Sequence, residues 1–188
     1  MVILVIGLVI FFGVHSVRIV AGGFRDRQIA LNERRWKGLY ALLSLLGFAL
    51  IIWGWIVFRP EAPAIYEPPA WGRHAAWVLV AAAFVLLAAA YRPVGYIKHW
   101  VKHPMLAGVA LWALGHLLAN GDLASVLVFG AFLAYAVIDR IAVIPRGDPA
   151  PEVLRPLSDV VSLVVGLAVF VAFGLWIHPF LFGVTPFP

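Results

Sequence analysis

Residues 104–144 read PMLAGVALWALGHLLANGDLASVLVFGAFLAYAVIDRIAVI. Two apolar runs flank the triplet Asn120-Gly121-Asp122, which reads as a tight turn. Pro104 opens the first run at a position where a helix has no intrahelical use for an N–H. Pro145 closes the second. The stretch therefore predicts an antiparallel helical hairpin. In its first run His116 is the one ionisable side chain. An imidazole in hydrocarbon costs free energy unless it finds a partner, so one at that depth marks a candidate site.

Outward from the hairpin, the chain continues in the same style. A membrane span needs roughly 20 mostly apolar residues. Residues 2–21, 38–58, 74–91 and 158–182 meet that description, with the hairpin arms 104–119 and 123–144 between them. Composition agrees: 64% of residues are hydrophobic and 12% charged, against roughly 25% charged in soluble domains. The expected fold is all-α, with six transmembrane helices in one bundle. No loop is long enough for a soluble domain, so residues 1–188 are expected to form one transmembrane domain. Residues 2–14 lack the basic start and small-residue cleavage site of a signal peptide, so they read as a retained first span.

Charge sets the sides. Arg25, Arg27, Arg34, Arg35 and Lys37 follow the first span; Arg92, Lys98 and Lys102 follow the third; Arg140, Arg146 and Arg155 follow the fifth. The alternate loops carry only Arg59 and Arg73. The positive-inside rule then places both termini outside. The net charge of +5 lies in these short loops and implies orientation in the membrane, not nucleic-acid binding.

The first span holds a second intramembrane imidazole, His15. At a helical rise of about 1.5 Å per residue, His15 lies about 20 Å from the outer end of its span, and His116 about 18 Å from the inner end of its own. Histidine grips metals readily while neutral. Gly108, Trp112, His116 and Asn120 recur every four residues and share a helical face. Glycine there admits a flat group or a neighbouring backbone. Phe11 and Phe12 precede His15 by a turn, and Arg18 follows it by a turn. A flat metal macrocycle suits such neighbours, and Arg18 suits its acidic substituents. The competing account of His116 is a packing histidine bonded to a backbone carbonyl or to Asn120, and that of Arg18 is a snorkelling charge. His74, His99, His103 and His178 fall at span ends, where water or headgroups satisfy them. Asp139-Arg140 reads as a boundary ion pair.

Several chemistries are excluded. The chain has no cysteine, so disulfides, thiolate sites and iron–sulfur clusters are absent. No hydrolase or phosphate-loop motif occurs.

The phrases Phe-Phe-Gly-Val-His15-Ser16-Val-Arg18, Trp36-Lys37-Gly38-Leu-Tyr40, and Lys102-His103-Pro104-Met-Leu-Ala-Gly108 through Trp112, His116 and Asn120-Gly121-Asp122 resemble those of NnrU-type proteins over nearly the whole length. That resemblance implies a multi-pass inner-membrane protein linked to the nitrite and nitric oxide reductase system of denitrification. The 15-cis-zeta-carotene isomerase resembles the same family. It is an integral membrane haem b protein with two axial histidines, which match His15 and His116. The resemblance thus implies haem b, ligated by His15 and His116 and held non-covalently. The isomerase's cysteine, one turn before the second histidine, is Ala113 here, so its ligand exchange does not carry over. Carotenoid cis–trans isomerisation remains an alternative activity. A narrower resemblance, Lys102-His103-Pro104 with Gly108, is to membrane methyltransferases that use S-adenosylmethionine; their adjacent acidic pair is missing from Asp139-Arg140-Ile-Ala-Val.

Overall fold

The computed structural model describes residues 1–144 and 153–187. Arg146 and the Gly147-Asp148-Pro149 stretch lie outside the described residues. The elements in chain order are α1 (Val2–Val20), α2 (Gly22–Phe58), a 3₁₀ turn (Arg59–Glu61), α3 (Gly72–Ala90), α4 (Tyr96–Val101), α5 (Pro104–Ala119), α6 (Leu123–Val143), α7 (Pro156–Ala172), a π-helical turn (Phe173–Ile177) and α8 (His178–Phe182). Among the described residues, five helical stretches are long and apolar enough to cross a membrane: Val2–Val20, Gly22–Glu61, Gly72–Ala90, Leu123–Val143 and Pro156–Phe182. The predicted sixth, α5, has 16 residues. It is about 24 Å long at 1.5 Å per residue, short of a hydrocarbon core roughly 30 Å thick.

The largest departure from the predicted elements is in α2. The second span was expected to start at Gly38, after a basic loop, but the chain is helical back to Gly22. The reason is local. Arg, Gln, Ala and Leu are good helix formers, and they make up five of the seven residues 25–31. The helix breaks once, at Asn32 (φ −162°, ψ 95°). The Asn32 Oδ1 accepts the Arg35 N–H at 2.9 Å, so Asn32 caps the spanning segment in the usual N-cap manner. Phe24 folds back edge-on to Trp36, with ring centres 6.0 Å apart.

The described chain gathers into two compact units, Met1–Tyr66 with Asp122–Ala131, and Glu67–Gly121 with Phe132–Pro188. Helix α6 contributes its first turns to one and its remainder to the other.

In the first unit α1 lies directly on α2. Three glycines permit it, as small residues do in membrane helix pairs. A Cβ on Gly7 would sit 2.6 Å from the Ile51 nitrogen, one on Gly47 2.8 Å from the Phe11 nitrogen, and one on Gly54 2.6 Å from the Leu4 Cα. The start of α6 is fastened to the end of α2. Asp122 caps α6 by accepting the Ser125 N–H (2.9 Å) and hydroxyl (2.8 Å). Ser125 Oγ in turn accepts the Trp55 indole N–H at 3.2 Å. Arg59 stands 3.6 Å from Asp122 and over the Trp55 ring.

In the second unit α3 is the central helix, flanked by α5 and α7. Gly166 of α7 lets that helix meet the Val85 backbone. The connection through α4 is held by side chains. Asp159 of α7 accepts the Tyr96 and Ile97 N–H groups at 2.7 and 3.0 Å, which caps α4. Lys98 Nζ donates to the Ala90 and Arg92 carbonyls at the end of α3. Past α8 the chain returns to α3, where the Trp77 indole donates to the Pro186 carbonyl at 2.8 Å.

Candidate functional site

His15 is half-buried on α1. Its Nδ1–H donates to the Phe11 carbonyl, one turn back, at 2.7 Å. Its ring stacks on Phe11, with centroids 4.1 Å apart and planes 25° apart. Tyr40 of α2 also stands against it, tilted, with centroids 5.2 Å apart. Gly47 is what lets Phe11 press onto α2. Arg18, a turn further along α1, is exposed.

His116 repeats this arrangement in the second unit. Its Nδ1–H donates to the Trp112 carbonyl at 2.8 Å, and its ring lies 5.0 Å from that of Trp112. Trp112 is in turn wedged edge-on against Phe132 of α6 at 5.3 Å. Asn120 ends the helix, and its amide donates to the His116 carbonyl at 2.9 Å. The structure thus brings Trp112, His116 and Asn120 together as a contiguous file along α5. Gly108, at the other end of that file, meets a neighbouring backbone: a Cβ there would be 3.0 Å from the Ala83 carbonyl oxygen. Gly115 likewise lies against Ala76 and Val80 of α3.

These geometries have a common chemical result. A carbonyl oxygen can only accept, so each Nδ1 carries the proton. In the neutral form the lone pair of each imidazole then belongs to Nε2, the tautomer in which histidines held by a backbone carbonyl present themselves to metals. Among the described residues, no three His, Asp or Glu side chains gather as a metal-holding group. Each ring is held by its backbone carbonyl and by aromatic neighbours.

Two residues around these histidines were not foreseen. Tyr40 and Phe132 touch the site across helix pairs, which a single-helix periodicity does not register. His178, read as a span-end residue satisfied by water or headgroups, instead has its Nδ1–H donate to the Val184 carbonyl at 2.7 Å. The expected Asp139–Arg140 ion pair does not form among the described residues. Asp139 is 7% exposed and its Oδ1 has no hydrogen-bond partner, because consecutive residues on a helix point about 100° apart.

Apolar helices with exposed aliphatic faces, such as Leu42, Val78 and Leu163, define a polytopic α-helical membrane protein. The sequence pattern of the family described as NnrU protein matches residues 3–186. The chain belongs to the NnrU family. No curated protein and no solved structure matches it.

Proposed function

We propose that this chain is a six-span protein of the inner membrane that binds haem b through Nε2 of His15 and of His116. Its role is redox or nitric-oxide-linked and supports denitrification alongside the nitrite and nitric oxide reductase system. The observation that carries the cofactor is the matched pair of Nδ1–carbonyl bonds at 2.7 and 2.8 Å. Two half-buried imidazoles share one tautomer and the same one-turn geometry. His15 lies against Phe11 and Tyr40, and His116 against Trp112.

The donor set fits the group. Both candidate ligands are imidazoles that bind metals in their neutral form, and no cysteine is available for covalent attachment. Held by these two imidazoles, haem b would supply one-electron redox chemistry. Phe11 and Tyr40 hold the plane of His15, and Trp112 that of His116. Asn120 secures the α5 backbone beneath His116. Arg18 offers a positive charge to an acidic substituent. Gly108 serves by seating α5 on α3.

Orientation is read from the same basic residues. Arg27, Arg34 and Arg35 in the early part of α2, with Lys98 and Lys102 before α5, favour the cytoplasmic side. Helix α5 is the sixth span, shorter than the others.

The test is the visible spectrum of the purified protein. A Soret band is expected in the wild type and is lost or shifted in His15→Ala and in His116→Ala. A band unchanged in both variants overturns the assignment of these ligands.

A further inference from the structure

The second unit carries a cleft of about 210 Å³ that the proposed cofactor site does not use. It lies between the start of α5 and the last turns of α6. Leu106, Ala110, Ala136 and Val137 form its walls, and His103 and Arg140 stand on it as its polar groups. Three features decide what it suits.

The first is charge. Arg140 has no ion-pair partner among the described residues, and its sequence neighbour Asp139 is turned into the protein. The first turn of α5 adds to this. Its early amide groups have no intrahelical acceptor and carry the positive end of a 16-residue helix. Leu106 of that turn is on the cleft.

The second feature is that the walls are aliphatic. A free anion gains nothing from Leu106, Ala110 and Val137, whereas a hydrocarbon chain does. The volume is below the roughly 300–1,000 Å³ of pockets that enclose a drug-sized ligand. That suits a stretch of chain, not a whole lipid.

The third is access. Val137 and Ile141, which border the cleft, are 48% and 60% exposed. The cleft therefore opens on the apolar flank of α6, the surface that lipid covers. Its charged end coincides with the ends of two helices, where the hydrocarbon core gives way to headgroups.

We infer that this cleft holds one anionic phospholipid, its phosphate against Arg140 and His103 and part of one acyl chain along Leu106, Ala110 and Val137. The site is independent of haem ligation.

Native mass spectrometry of the full-length protein in detergent tests it, with phosphatidylglycerol, phosphatidylcholine or inorganic phosphate added. One phosphatidylglycerol is expected to be retained, about tenfold better than phosphatidylcholine, whose choline ammonium offsets the phosphate charge that Arg140 would meet. Arg140→Gln removes that preference, and Arg140→Lys keeps most of it. Val137→Trp, at an exposed position, fills the groove and lowers retention while the charge is intact. Equal retention of the two lipids by the wild type overturns the proposal. So does full competition by inorganic phosphate, or unchanged retention in both Arg140→Gln and Val137→Trp.

Discussion

At the scale of single residues, the chain uses histidine and glycine in opposite ways. His15 and His116 bring polarity into apolar helices and satisfy half of it at once, through the carbonyl four residues back. Glycines do the reverse, removing bulk so that backbones touch. Gly54→Leu should therefore push α1 off α2, since even a Cβ would crowd the Leu4 backbone. Overpacking of this kind costs about 1–3 kcal/mol, and a lowered Tm in detergent is the expected result. Gly13→Leu, where nothing lies within 4 Å of the added Cβ, should leave Tm nearly unchanged. Tyr66, on the connection after α2, has its phenol pushed above the ordinary tyrosine range by burial and then by the Asp122 charge. The neutral phenol is the form the fold favours. Its contribution is present below the ordinary tyrosine pKa and is lost as pH rises through the raised value. In an alkaline absorbance titration, Tyr66→Phe should remove a late-ionising component. The histidines and their spacing were legible in the sequence because charge stands out against an apolar run. The crowding at Gly54 was not, because it depends on which residue of another helix lies opposite.

At the scale of elements, helix ends were read well where punctuation was present. Pro104 and Asn120 bound α5 as expected, and α6 starts at Leu123. The backward extension of α2 was missed because arginines were weighed as topology signals, while their helix propensity acted locally. The true boundary is an N-cap, Asn32, inside what reads as a loop. The start of α6 shows the same limit. Asp122 was read as a turn residue, yet it caps α6 and meets Trp55 and Arg59 from another helix through Ser125 and directly. Asp122→Ala should lower stability by about 1 kcal/mol, the usual worth of a cap. Asp122→Asn, which preserves the cap acceptor, should lose less. Chemical denaturation in mild detergent distinguishes the two. A comparable loss is expected for Asp159→Ala, which would release the N–H groups of Tyr96 and Ile97 at the start of α4.

At the scale of the whole molecule, composition alone pointed to a membrane protein, and five long apolar helices agree with it. The division of long-range contacts into two units was not legible, since hydropathy reports burial in lipid and says little about which helices pair. Topology is open to direct test because the chain has no cysteine of its own. A single cysteine at Ala30 should be labelled by an impermeant maleimide only after the cell is opened, and one at Glu67 in intact spheroplasts. The reverse pattern would invert the orientation. The central claim is ligation by the two imidazoles, and chemical rescue tests it most directly. Purified His116→Gly, supplied with haem and free imidazole, should regain the low-spin absorption spectrum of the wild type, and His15→Gly should do the same. If both variants stay folded and show the wild-type spectrum without added imidazole, the ligands lie elsewhere and the account is wrong.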